Sequence, residues 1–160
     1  MLKAMKWSAT GVVVLLLAAQ FVRPAKTNPV SDQSRAIGTH VEMNPEVSDI
    51  LGRSCYDCHS NATNWPWYSR VAPVSWLLVS DVNDGRRHLN FSEWGAYDRR
   101  KAAKKMQEID DEVSIKAMPI SSYTLLHPVA RLSDQERALV SDWAKAQSKR
   151  LELAEATAGK

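Results

Sequence analysis

The sequence predicts an all-α protein, and three observations carry that prediction. No run of Val, Ile and Thr alternates with polar residues as a half-buried strand would. Apolar residues instead recur at spacings of three and four, in segments opened by recognisable helix caps. The third observation is "SCYDCHSN" from Ser54, which holds the only two cysteines of the 160 residues, at the end of one such segment.

The N-terminus comes first in chain order. Lys3 and Lys6 precede Trp7–Val22, 16 residues without a charge, which is short of the ~20 that usually cross a bilayer core. A basic start and an apolar middle also fit a secretory signal. No small-residue cleavage arrangement follows, so residues 1–23 are expected to be an uncleaved transmembrane signal anchor, with a cleaved signal peptide as the other reading. Residues 24–43, with two prolines and a glycine and no apolar stripe, read as a flexible tether.

A domain is expected over 44–150. Asn44-Pro45-Glu46 has the order of an N-cap, a first-turn proline and an acid near the helix dipole. Val47, Ile50, Leu51, Cys55 and Cys58 follow on one face, so the cysteines end an amphipathic helix. An aromatic loop with Trp65, Trp67 and Tyr68 comes next, then a helix over 74–83 closed by Gly85 as a left-handed cap. Ser92 could cap a third helix carrying Trp94, Tyr97, Met106, Ile109 and Val113, with Asp110 and Asp111 dividing it. Residues 116–128 read as loop, because Pro119 and Pro128 bias the residues before them out of the helical region. Ser133-Asp134-Gln135-Glu136 is a capping box opening the last helix, and 151–160 is expected to fray.

Composition narrows the function. A net charge of +3, without a dense basic run, gives no footprint for nucleic acid. No hydrolytic triad, phosphate loop or carboxylate pair stands in a recognisable setting. Apolar content of 44% with six Trp supports a real core.

Cys55-x-x-Cys58-His59 can be read three ways. A thioredoxin-like dithiol needs the motif at the start of a helix in a β/α pattern, whereas here it ends a helix. Structural zinc needs four ligands, and His40, His88 and His127 are isolated from one another. Covalent haem needs only what is present: two thiols spaced for the two vinyl groups, and the next residue, His59, as a nitrogen ligand to iron. Attachment also accounts for both cysteines of an exported chain. One haem c per chain is therefore expected at Cys55 and Cys58.

The distal ligand stays open. Met118, before Pro119 in a loop, could present a thioether across a haem, and its ordinary alternative is a core gap-filler. His127 is the rival, or the position is empty. His88 could lie near a propionate, and Met106 is expected in the core. Trp65, Trp67 and Tyr68 are expected beside the haem as aromatic walls, with Arg70, Arg86 and Arg87 as candidates to pair with propionates.

"CYDCHSNATNWPWYSRVAPVSWLLVSDVNDGRRHLNFSEW", followed by "MPISSYTLLHPVARLSDQERALVSDWA", resembles the small bacterial haem-binding domain family with a cytochrome c-like motif. The resemblance runs from about Val47 to Trp143 and implies covalent haem at Cys55 and Cys58 with His59 on the iron. The late Met-Pro is similar to the ligand loop of class I cytochromes c, which implies Met118 as the sixth ligand. The stretch from Pro73 to Met118 is longer than in the shortest cytochromes.

The function expected is a membrane-anchored monohaem c-type cytochrome in the bacterial periplasm. It would pass single electrons between redox partner proteins without being an enzyme itself. The alternative is a haem sensor or peroxidase-like protein with an open distal site.

Overall fold

Side-chain caps open three of the α-helices in the computed structural model, which describes residues 2–158. Among them there is no strand. The helices are α1 (Leu2–Ala19), α2 (Ile37–His40), α3 (Pro45–Ser54), α4 (Tyr56–His59), α5 (Val74–His88), α6 (Arg99–Ser114), α7 (Ser121–Leu126) and α8 (Asp134–Ala158). Short 3-10 turns lie at Gln33–Arg35, Trp67–Arg70, Phe91–Ala96 and Pro128–Ala130.

The predicted caps at two helices are present. The Asn44 side chain accepts from the Val47 N–H at 2.7 Å and opens α3. At α8 the capping box closes both ways. The Ser133 N–H donates to the Glu136 carboxylate at 2.7 Å, and the Glu136 N–H donates to Ser133 Oγ at 3.2 Å. A cap the sequence reading missed is Asp98, which accepts from the Lys101 N–H at 2.7 Å and opens α6. Ser92 therefore starts no α-helix; it lies in the 3-10 turn that Asn90 caps.

Helices α6 and α8 form the spine. Hydrogen bonds link Arg99 to Ala154, Ala103 to Ser148 and Val113 to Arg137, so the two run antiparallel. Asp110 does not divide α6. It is buried inside the interface, where it accepts from the Ser141 hydroxyl and pairs with Lys145 at 3.4 Å. Nor do residues 151–158 fray as expected: α8 continues to Ala158 and Leu151 packs on the core, while 159–160 lie outside the described residues. Val47, Ile50 and Leu51 of α3 close the core against Met106, Ile109 and Val140. Met106 is fully buried there, as expected.

The segment expected to be a free tether is stitched to the domain. Ile37 is 1% exposed and Val41 is buried, both in the same core as α3, α6 and α8. The Glu42 carbonyl accepts from the Trp143 indole at 3.0 Å, and its carboxylate pairs with Arg150 at 2.8 Å. Ile37 and Val41 do this work, with Met43 packed beside them. Their spacing is too short to register as an amphipathic stripe, which is why the segment read as tether.

Helix α1 also departs from expectation. Among the described residues no helix is long and apolar enough to cross a membrane. The 18 residues of α1 include Lys3 and Lys6 in the first third, and the expected transmembrane helix is not found among the described residues. Its residues Val12 to Leu17 are nevertheless all exposed.

A core role for the 24–43 segment has a direct test. Ile37→Ala removes a fully buried branched side chain and is expected to lower unfolding free energy by about 2–5 kcal/mol in a denaturant titration. A change within about 0.5 kcal/mol would mean that the segment is surface dressing.

Candidate functional site

The motif is shaped by a break in the helix that carries it. Helix α3 ends at Ser54, and Cys55, at φ −126° and ψ −37°, starts the separate turn α4. The Cys55 carbonyl accepts from the His59 N–H at 2.9 Å, closing one helical turn around the motif. Cys55 and Cys58 are three apart on that turn and so face the same side. Both thiols and His59 lie on the wall of one cavity of about 530 Å³. That volume is in the usual range for a site that buries a sizeable ligand.

His59 is oriented by the main chain of α5. Its Nδ1–H donates to the carbonyls of Gly85, at 3.0 Å, and Leu89, at 3.1 Å. With the proton held on Nδ1, Nε2 keeps its lone pair, the arrangement in which a second hydrogen bond fixes the tautomer of a metal-binding imidazole. Burial lowers the His59 pKa and outweighs the two carbonyls, which favour the proton. The ring is thus neutral near pH 7 and suited to bind a metal.

Close approach of α5 makes this possible. A Cβ on Gly85 would lie 2.6 Å from the Cys58 carbonyl oxygen and 3.1 Å from its Cβ. Gly85 is therefore no left-handed cap. It sits inside α5, which runs on to His88, and its value is the absence of a side chain where two backbones touch. Arg86, next to it, is spent on the same junction. Its guanidinium donates to the Ser60 carbonyl at 2.7 Å and to Thr63 Oγ1 at 2.7 Å.

The thiols are chemically quiet. Burial, reinforced by Cys58, pushes the Cys55 pKa up to about 12 against the pull of Arg53. Burial with Asp57 and Asp81 raises Cys58 to about 11. A redox dithiol needs the opposite shift. Among the described residues no group of three or more His, Cys, Asp and Glu is placed to hold a metal, so the zinc reading finds no ligand set.

The rest of the wall is mostly apolar, with Ile50 and Leu51 from α3, Ile109 and Val113 from α6, and Val140 from α8. Asp81, Asp84, Lys105, Glu108 and Glu112 add charge. Met118 lies on this wall and is half-buried. Its position follows from the end of α6. Lys116 takes φ 64°, an unusual left-handed turn for a side chain that long. The Met118 N–H then donates to the Glu112 carbonyl at 3.0 Å, and its own carbonyl accepts from Arg137 at 2.8 Å.

The geometry sorts the other sequence candidates. His88 is on the wall, whereas His127 is not. His127 stacks on Tyr123, ring centroids 4.1 Å apart, and hydrogen bonds with Tyr68 Oη at 3.1 Å. Trp65, Trp67 and Tyr68 do not line the cavity. Their loop is drawn over the back of the motif, where the Thr63 hydroxyl donates to the Asp57 carbonyl at 2.7 Å. The Trp65 indole donates to Asn28, and Trp67 is 79% exposed. The cavity's aromatic residues are Phe91 and Tyr123 instead. Arg70 is exposed, and Arg87 pairs with Asp84. Sequence reading missed Leu89 and the true role of Gly85, whose only signal is a glycine inside a helical pattern.

The sequence profile of the haem-binding domain family matches residues 14–146. The chain belongs to that family. Over 120 residues it is also 26% identical to the cytochrome c peroxidase Ccp of Escherichia coli (strain K12). That alignment covers 72% of this chain and 26% of the relative, so the chain spans about a quarter of the relative's length. No solved structure matches. The donor set of the haem-binding domain fits the group its family binds: a neutral imidazole with a free Nε2, two thiols one turn apart and a thioether share one apolar cavity.

Alanine at an ordinary helix-interior glycine stabilises by up to ~1 kcal/mol. Gly85→Ala is expected to do the reverse, costing about 1–3 kcal/mol as α5 is forced off the motif. Denaturant unfolding reads the sign, and a stabilised variant would refute the close-contact role.

Proposed function

We propose that this haem-binding domain carries one covalent haem c and passes single electrons. The observation that carries the reading is the placement of His59 and Met118 on one cavity beside both cysteines. Thioether bonds to Cys55 and Cys58 would hold the haem, and His59 Nε2 and the Met118 sulfur would bind its iron. Two protein ligands leave no position for a substrate, so the protein acts as a carrier and not as an enzyme.

Quiet, high-pKa thiols support a cofactor-attachment role over dithiol exchange. The basic N-terminus and the apolar stretch of α1 support export and attachment to the outer face of the bacterial inner membrane. Redox partner proteins in the periplasm would be the donor and acceptor.

A peroxidase-like protein with an open iron face is the second reading. The likeness to a cytochrome c peroxidase favours it, and His88 on the cavity wall is a polar group for such a site.

The visible spectrum of the exported, haem-loaded protein separates the two. Low-spin haem c with a weak far-red sulfur-to-iron band, and no carbon monoxide binding when reduced, is the expected result. Met118→Ala should then lose that band and bind carbon monoxide while keeping the haem through denaturation. A high-spin wild-type spectrum, or a far-red band that survives in Met118→Ala, would reject the Met118 ligand.

A further inference from the structure

Between the apolar helix α1 and the haem-binding body the chain is braced. The Gln20 side chain pairs with both main-chain groups of one residue, Ala72. Its amide donates to the Ala72 carbonyl at 3.1 Å, and its oxygen accepts from the Ala72 N–H at 3.0 Å. The Trp76 indole donates to the Val22 carbonyl at 2.8 Å, and Lys26 reaches Ser69 Oγ at 3.3 Å. Farther on, Arg86 donates to the Thr27 carbonyl at 2.8 Å and so ties this strap to the haem motif itself.

Around this brace the surface is apolar. Phe21 is 89% exposed and Leu77 65%, and Val22, Val71, Val74 and Trp76 are exposed with them. The apolar residues Val12 to Leu17 of α1 lie just before it in the chain. Basic residues predominate in these segments, although Asp81 follows one turn after Leu77 on α5. Arg23, Lys26 and Arg70 lie in the two segments involved, whereas neither 20–31 nor 60–80 contains an Asp or Glu. The acids Asp81, Asp84, Glu108 and Glu112 belong to the cavity wall. Exposed apolar side chains with an amphipathic indole and basic neighbours match the interface of an anionic phospholipid bilayer.

We propose that this face docks on a bilayer containing anionic phospholipid. The Val12–Leu17 stretch enters the lipid, and the patch around Trp76 and Leu77 seats at headgroup level. The brace makes the seating rigid, so the haem-binding body is held at a set orientation and does not swing on a tether. The proposal rests on the membrane attachment proposed above.

The test uses the full-length, haem-loaded protein and vesicles of phosphatidylethanolamine and phosphatidylglycerol. A nitroxide is placed through Leu77→Cys, with Glu155→Cys on α8 as the reference site. Collision with oxygen is compared with collision with a water-soluble nickel chelate. The L77C label is expected to favour oxygen and the E155C label the chelate.

Pelleting with vesicles while L77C stays as water-exposed as E155C would overturn docking and leave attachment standing. Failure to pellet would overturn both. An L77C label shielded from both reagents would assign the patch to a protein partner and overturn the lipid surface. Gln20→Ala is expected to abolish the L77C oxygen preference while vesicle pelleting persists. A retained preference would overturn the brace.

Discussion

One proton on His59 organises the site. Nδ1–H is shared between the Gly85 and Leu89 carbonyls, so the ring cannot turn without abandoning two buried acceptors. That bond needs the C-terminal part of α5 against the motif, and the approach is open only because Gly85 has no Cβ. Arg86 closes the same joint by donating to the Ser60 carbonyl. The imidazole, the two thiols and the floor of the cavity are thus set by one helix-to-turn contact. The hydrogen bond that fixes the tautomer is also the one that leaves Nε2 free for a metal.

The opposite wall depends on a different constraint. Met118 comes four residues after the end of α6, through a left-handed Lys116, and is held by Glu112 behind it and Arg137 of α8 ahead of it. Because α6 and α8 are locked by Asp110, Ser141 and Lys145, this wall moves with the spine of the domain. The lining is mostly apolar, with Asp81, Asp84, Glu108 and Glu112 giving it a charged edge.

The strap from Gln20 to Val41 changes how the N-terminus relates to the site. Ile37 and Val41 are core residues, and Asn28 links the strap to Thr63, Trp65 and Arg86 around the motif. The helix that precedes the domain is therefore mechanically coupled to the haem site. A partner meeting this protein would meet one presented orientation.

Local chemistry was legible in the sequence. The all-α class, the Asn44 and Ser133 caps, the burial of Met106 and the Cys55, Cys58 and His59 constellation follow from residues within one or two turns of each other. Met118, singled out as a thioether before a proline, lies on the cavity wall. What failed were features set by distant partners. Gly85 reads as a cap until α5 meets Cys58, and Asp110 reads as a breaker until Ser141 and Lys145 face it. Trp65, Trp67 and Tyr68 read as haem walls until Thr63 and Arg86 fold their loop behind the motif. Sequence by itself determined the all-α class, the capped starts of α3 and α8 and the candidate donor atoms, since capping and periodicity act over a few residues. Only the tertiary structure decided which donors share a cavity, because that depends on backbones brought together across tens of residues.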